Sequence, residues 1–227
     1  MSRIPTPASI DTAPREVAMR HWSSDIAFTP SVKTVQSDRG SRKLYEKLEA
    51  RGGFRTRVTE DLMAFLGTVD TAYLATASAD GQPYAQHRGG PKGFIRVVDG
   101  RTIGFADFVG NRQYISTGNL AENSKAFLFL MDYANRRRIK LWGRARAVAG
   151  DDALLAALMP AGYGARPEQV ILFEVEAWDV NCPQHIPQKF DAADVDAAVT
   201  KLEQRIAALE AENGRLRATI ETMKPTS

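Results

Sequence analysis

Residues 125–148 read KAFLFLMDYANRRRIKLWGRARAV. KAFLFLMD is an apolar run closed by a charged residue at each end, the pattern of a buried strand. From Ile139 the chain alternates. Ile139, Leu141, Gly143, Ala145 and Ala147 share one face, and Lys140, Trp142, Arg144 and Arg146 share the other. The polar ANRRRIK between them reads as a solvated turn, so the stretch forms an antiparallel hairpin with one face on a core.

The same pattern extends outward in both directions. TAYLATAS is a strand, turned by Asp80-Gly81 into PYAQHR, and FIRVV turns at Asp99-Gly100 into RTIGFAD. VILFEVEAWDV is a long last strand. Helices fit Arg42 to Ala50, ended by Gly52-Gly53, and a run starting at Thr59, whose hydroxyl caps it and whose Leu62, Phe65 and Leu66 form its apolar stripe. Residues 112–122 and DDALLAALM, stopped by Pro160, are also helical. About six closely spaced strands with helices inserted between some of them predict a mainly β, α+β fold. Its centre is an antiparallel barrel rather than βαβ units. There is no internal repeat.

Three regions follow: an N-terminal arm (1–36), a body (37–190) and a C-terminal helix (191–227). The arm is broken by Pro5, Pro7, Pro14 and Pro30. A short helix is expected from Pro14, and AFTPSV is expected to be extended because Thr29 precedes a proline. Trp22 and Phe28 imply that part of the arm packs against something.

The 227 residues are 44% hydrophobic and 25% charged, the balance of a globular chain with a real core. The net charge of +3 is too small and too dispersed to imply a nucleic-acid partner. A single cysteine, Cys182, excludes an intramolecular disulfide and a multi-thiolate zinc site, and beside Pro183 it reads as buried and inert. No stretch is long and apolar enough for a membrane span, and the first residues lack a secretory signal, so a cytoplasmic protein is expected.

The C-terminal helix carries a heptad. Val199, Ile206, Asn213 and Ile220 take position a; Val195, Leu202, Leu209, Leu216 and Met223 take position d. β-branched residues at a with leucine at d favour a parallel two-stranded coil, and one Asn at a sets register. In a parallel pair Arg205 faces Glu210 and Glu212 faces Arg217, both attractive. The alternative is a helix lying on its own body, although a strict a/d stripe is narrower than such a helix usually shows. The acidic lead-in FDAADVDAA argues against a DNA-binding zipper.

Catalytic signatures are missing. His21, His87 and His185 form no close pair, and no GxSxG, Walker or GxGxxG motif occurs. The main chemical resource is cationic and amide groups near strand ends. Arg88 and Lys92 flank a glycine pair, and Asn111, Arg112 and Gln113 follow Gly110 at the expected start of a helix, a suitable phosphate site. Arg138 begins a strand and could point inward.

In order and spacing, Ala72 to Val148 resembles the FMN-binding split barrel of the pyridoxamine 5′-phosphate oxidase superfamily. QHRGGPKGF, FADFVGNRQYISTGNLAEN, FLMDYANRRRIKLWGRAR and WDVNCPQHI are similar to its oxidase-related, flavin-nucleotide-binding branch, and the resemblance covers about residues 25–190. It implies a six-stranded Greek-key barrel that forms a homodimer, with FMN at the interface touched by both subunits. It also implies that Arg88 opens the flavin-contacting strand, that Asp107 approaches the flavin ring, and that Asn111, Arg112 and Gln113 form the phosphate turn. Oxidases carry Ser-Arg-Lys at that turn, so Gln113 removes a cation. Arg138 stands where the oxidases place a glutamine near the flavin, and Trp178 matches an aromatic bordering it, or else packs in the core.

The oxidases' R-x-H-D-R motif is replaced by NCPQHIPQKF, where His185 and Lys189 offer some positive charge. The resemblance therefore carries the flavin and not the vitamin substrate. His185 is a weak catalytic candidate, more simply read as structural. The implied function is FMN-dependent oxidoreduction of an unidentified small molecule. The alternatives are a non-catalytic flavin-binding or sensor protein that uses its coil for interaction, and pyridoxamine 5′-phosphate oxidation itself.

Overall fold

The computed structural model describes residues 22–180 and 182–223, which fall into two compact units divided between Thr56 and Arg57. The expected helix at Pro14 lies outside the described residues.

The first unit is helical. A 3-10 turn, Ser23–Ile26, leads to α1 (Pro30–Asp38) and α2 (Arg42–Glu49). AFTPSV is therefore only half extended. Thr29 is extended and caps α1 by accepting from the Val32 amide at 3.3 Å, while Pro30 begins the helix. The restriction imposed by a proline falls on the residue before it, and its own fixed φ suits a first helical position. Phe28 packs edge-on against Tyr45 and Phe54, with ring centroids 4.9 and 5.2 Å away. Lys33 and Arg42 both pair with the buried Glu49. The structural boundary thus groups α2 with the arm.

The second unit contains α3 (Glu60–Leu66), β1 (Thr71–Ala77), β2 (Pro83–Gly89), β3 (Arg96–Val97), β4 (Thr102–Phe108), α4 (Ile115–Glu122), β5 (Lys125–Asp132), β6 (Arg137–Val148), α5 (Asp152–Leu158), β7 (Pro167–Val180) and α6 (Ala192–Thr222). The strands form one antiparallel sheet in the order β2-β1-β5-β6-β7-β4-β3. This corrects the six strands expected of the split barrel. There are seven strands among the described residues, and the ladder is open at β2 and β3. The hairpin expected of FIRVV and RTIGFAD is present as β3 and β4, with β3 reduced to Arg96 and Val97.

Alternation and register build the core. Leu74, Leu128, Leu141 and Trp178 are successive cross-strand neighbours from β1 through β7, and Ala145, Phe173 and Ile103 continue the inner face onto β4. With Leu62, Phe65 and Leu66 of α3 they belong to one contiguous buried cluster. Thr59 caps α3 as expected, accepting from the Leu62 amide at 3.4 Å. Residues near both ends of the strand order share this cluster, so the sheet curls around it. At Trp142/Gly143 the β6–β7 register slips, and a Cβ on Gly143 would lie 1.9 Å from the Glu174 carbonyl oxygen. Only glycine permits that approach. Helix α5 packs separately outside, with Leu158 on Val170 and Leu172.

Helix α6 buries no residue. Its start is tied to the rest of the unit through Lys92, whose ammonium is 2.7 Å from Asp191 and 3.7 Å from Asp194. Among the described residues no helix is long and apolar enough to cross a membrane.

Two glycines make opposite predictions. Gly143→Ala should lower unfolding free energy by about 2 kcal/mol or more, because backbone must move. Gly214→Ala, with open space around it in α6, should be neutral or raise it by up to about 1 kcal/mol. Urea denaturation of the two variants checks both.

Candidate functional site

Strand alternation aims Asp107 inward, on the face of Ile103 and Phe105. Its register partner on β7 is Gln169. On β2, Arg88 and Gln86 share the face turned toward Ala72 and Leu74. Strands β2 and β4 are far apart in the hydrogen-bonded order, yet the Arg88 guanidinium pairs directly with the Asp107 carboxylate. The split in the sheet is therefore bridged by side chains where no backbone ladder exists.

The bridge is part of a larger polar network. Gln169 Nε2 donates to Asp107 Oδ2 and to Thr117 Oγ1, each at 2.9 Å. Arg88 Nη2 donates to Gln86 Oε1 at 3.0 Å, and the Ser116 hydroxyl donates to the same oxygen at 3.2 Å. Thus β2, β4, β7 and the first turn of α4 meet at one cluster. The Nε of Arg88 is buried and has no partner.

Next to this network runs the 110–114 turn. Asn111 accepts from the Gln113 amide at 3.2 Å and donates to the Gln113 side chain at 3.3 Å. Arg112 and Tyr114 adopt left-handed backbone, with φ of 58° and 54°. Such conformations are strained for non-glycine residues and recur at binding sites. They also correct the expected helix over 112–122. Helix α4 begins at Ile115, so Arg112 precedes it. No side chain caps its N-terminus, which leaves first-turn N–H groups for a ligand. Tyr114 donates to Glu168 at 2.6 Å, and this bond raises the pKa of its phenol.

Arg88, Asp107, Asn111 and Arg112 line a crevice of 40 Å³, with Gln113 bonded to Asn111 at its edge. An adjoining cavity of 230 Å³ runs along the split, from Gln86–Gly89 to Phe105–Gly110.

The other residues named from the sequence lie elsewhere. Lys92 and Lys189 line a separate cavity of 520 Å³ together with Asp70, Asp132, Asp191 and Asp194. Four carboxylates against two ammonium groups make this larger cavity a poor anion site. The Lys189 ammonium sits over the Tyr133 ring at 4.6 Å. Trp178 is in the core cluster and donates its indole N–H to the Arg57 carbonyl at 2.7 Å, so packing is the role that its position shows. Arg138 lies on the outer face opposite Met131, with a buried, unpartnered Nε, and does not point inward. His185 occupies an exposed turn with φ of 61°. Cys182 is exposed, against the buried cysteine expected, because the chain has left the sheet after β7. Among the described residues no His, Cys, Asp or Glu group could hold a metal ion.

Sequence reading missed Gln86, Ser116, Thr117 and Gln169. Alternation could have placed Gln86 beside Arg88, but Gln169 and the two hydroxyls depend on strand pairing and helix docking.

Residues 58–182, just over half of the chain, match the family described as pyridoxamine 5′-phosphate oxidase. The chain belongs to that family. No curated protein matches it. Among solved structures it is similar to HupZ of Group A Streptococcus, at 17% identity and TM-score 0.45, covering 59% of this chain and 99% of that one. It is also similar to a candidate pyridoxamine 5′-phosphate oxidase from Lactobacillus delbrueckii, at 21% identity and TM-score 0.43, covering 55% and 95%. A third is an FMN-binding protein from Syntrophomonas wolfei, at 14% identity and TM-score 0.41, covering 67% and 95%.

The bridge predicts a non-additive pair. Asp107→Leu alone strands a largely buried guanidinium and should lower stability by roughly 3 kcal/mol. Adding Arg88→Met should recover most of that loss, since an apolar pair replaces an ionic one. Urea unfolding of the single and double variants measures the coupling.

Proposed function

We propose that this protein binds FMN at the split and acts as an FMN-dependent oxidoreductase on a small molecule. The observation that carries the reading is the 110–114 turn. There an arginine held in strained, left-handed backbone precedes an uncapped helix start, beside a buried Arg88 with a spare N–H. Asn111, Arg112, Gln113 and the first turn of α4 are the groups that would hold the phosphate. Arg88 and Asp107 would offer fixed polar contacts to the rest of the cofactor. FMN supplies electron or hydride transfer when bound; the protein contributes binding, orientation and a pocket. Family membership supports the reading.

A second copy would complete the site. The 230 Å³ along the split is below the ~300–1,000 Å³ usual for small-molecule pockets. The outer face of β1, β5 and β6 carries Tyr73, Phe127, Phe129 and Trp142, with Phe127 5.2 Å from Trp142 between ring centroids. An aromatic face of this kind is suited to burial against another subunit. A cytoplasmic setting belongs to the same proposal.

The test is the visible spectrum of the purified protein, identification by mass of whatever denaturation releases, and titration with FMN. FMN should be released or bound, and Arg112→Ala should weaken it roughly tenfold, the loss of one charge-assisted contact. Release of FAD or a deazaflavin in its place would overturn FMN while leaving the family intact. A colourless protein that ignores all three would overturn the cofactor reading. Bound flavin without turnover of any reductant would favour the sensor alternative. Formation of pyridoxal phosphate would favour the oxidase alternative, against which stands NCPQHIPQKF at 181–190.

Arg138 makes a separate prediction. If a second copy brings the outer face of β6 against the flavin so that the Arg138 cation stabilises its reduced, anionic form, Arg138→Gln should retain flavin and lower its midpoint potential in a spectroelectrochemical titration. An unchanged potential would remove Arg138 from the site.

A further inference from the structure

The least explained surface is α6. Its 31 residues extend about 46 Å as one helix, and no side chain along it is buried. Val195, Val199, Leu202, Ile206, Leu209, Leu216, Ile220 and Met223 are 46–76% exposed, although together they make a continuous apolar seam. A helix that lay on its own barrel would bury that seam, so the structure removes this alternative reading of the heptad. An isolated helix gains little stability in water without burying its apolar stripe.

We infer that α6 is a parallel, in-register, two-stranded coiled coil with the α6 of a second copy of this chain. Three features on the helix select that occupant. Asn213 at position a meets Asn213 of the partner subunit in a parallel pair, where the two amides satisfy each other. The antiparallel alignment that matches a to d layers would set Asn213 against Leu202 of the partner subunit and bury an unpaired amide. The antiparallel alignment joins Arg205 to the partner's Glu212 but also sets Glu203 beside the partner's Glu210, whereas the parallel one joins Arg205 to the partner's Glu210 and Glu212 to the partner's Arg217 with no like pair. The Asn213 layer, more than the charges, therefore selects the parallel orientation.

The Lys92 contacts with Asp191 and Asp194 give the pairing a consequence. They hold the start of α6 to the barrel, so a parallel coil gathers both barrels at the same end. Within one chain Asn213 accepts from its own Arg217 at 3.1 Å, a bond that pairing would exchange for the partner's amide. None of this requires flavin to be bound.

Disulfide trapping in the full chain tests it, with the exposed Cys182 first changed to serine. Val199→Cys alone and Leu216→Cys alone should each give a covalent dimer under mild oxidation. A mixture of the two should give no 199–216 link. A link that forms only in the mixture would show antiparallel pairing and overturn the inference, as would no link in any sample. Sedimentation equilibrium of the unmodified chain should give the mass of two chains; one or three would overturn it. Leu202→Asp with Leu209→Asp should abolish trapping at position 216, and persistent trapping would show that the barrels alone hold the helices close.

Discussion

The second unit depends on closing a sheet that its backbone leaves open. Seven strands in linear order leave β2 and β3 at the edges, and the curl brings the inner faces of β2 and β4 together without a ladder. Arg88 and Asp107 close that gap. The ion pair is mostly buried, and Gln86, Gln169, Ser116 and Thr117 surround it with hydrogen bonds. A buried charge pair contributes little net stability by itself, but loss of either partner leaves the other uncompensated. Its value is specificity: it fixes which strands face each other across the split, and it leaves an edge where backbone and side chains remain available to a ligand.

The strain lies at the same place. Most of the sheet is unstrained alternation packed on one core, with Gly143 absorbing the one close backbone approach on β6. Beside the split, Arg112 and Tyr114 take left-handed backbone that ordinary loops give to glycine. A rigid curled sheet can impose such a conformation, because β4 and α4 are both anchored in the core on either side of it. This combination of a stiff frame and a strained, cation-bearing turn suits recognition of a phosphate group.

The two proposed contacts between copies have different origins. The aromatic outer face of β1, β5 and β6 is a product of sheet pairing, because Tyr73, Phe127, Phe129 and Trp142 become neighbours only when three strands are in register. The seam of α6 is a property of one helix and its spacing. As proposed, a pocket completed by a second copy and a coil of two α6 helices would share the same two-fold axis.

Most elements were legible in the amino-acid order because their causes are local. Alternation at period two marks β6, an unbroken apolar run marks β5, Thr59 caps α3, and the heptad of α6 runs without tertiary help. Local readings failed where context overrode pattern: AFTPSV divides at Pro30, FIRVV pairs over only two residues, and α4 starts three residues late because the turn before it is left-handed. The site was half legible. Arg88, Asp107, Asn111 and Arg112 stand out as polar groups at strand ends, and the structure brings them together. Their partners do not stand out, since Gln169 lies 62 residues from Asp107 and meets it only through the β4–β7 register. Trp178, Lys92 and Lys189 carry the right chemistry but are consumed by the core, by the start of α6 and by Tyr133. Short-range periodicity is enough to specify a strand or a helix; which side chains share a site is decided by long-range pairing, and that exists only once the sheet has curled.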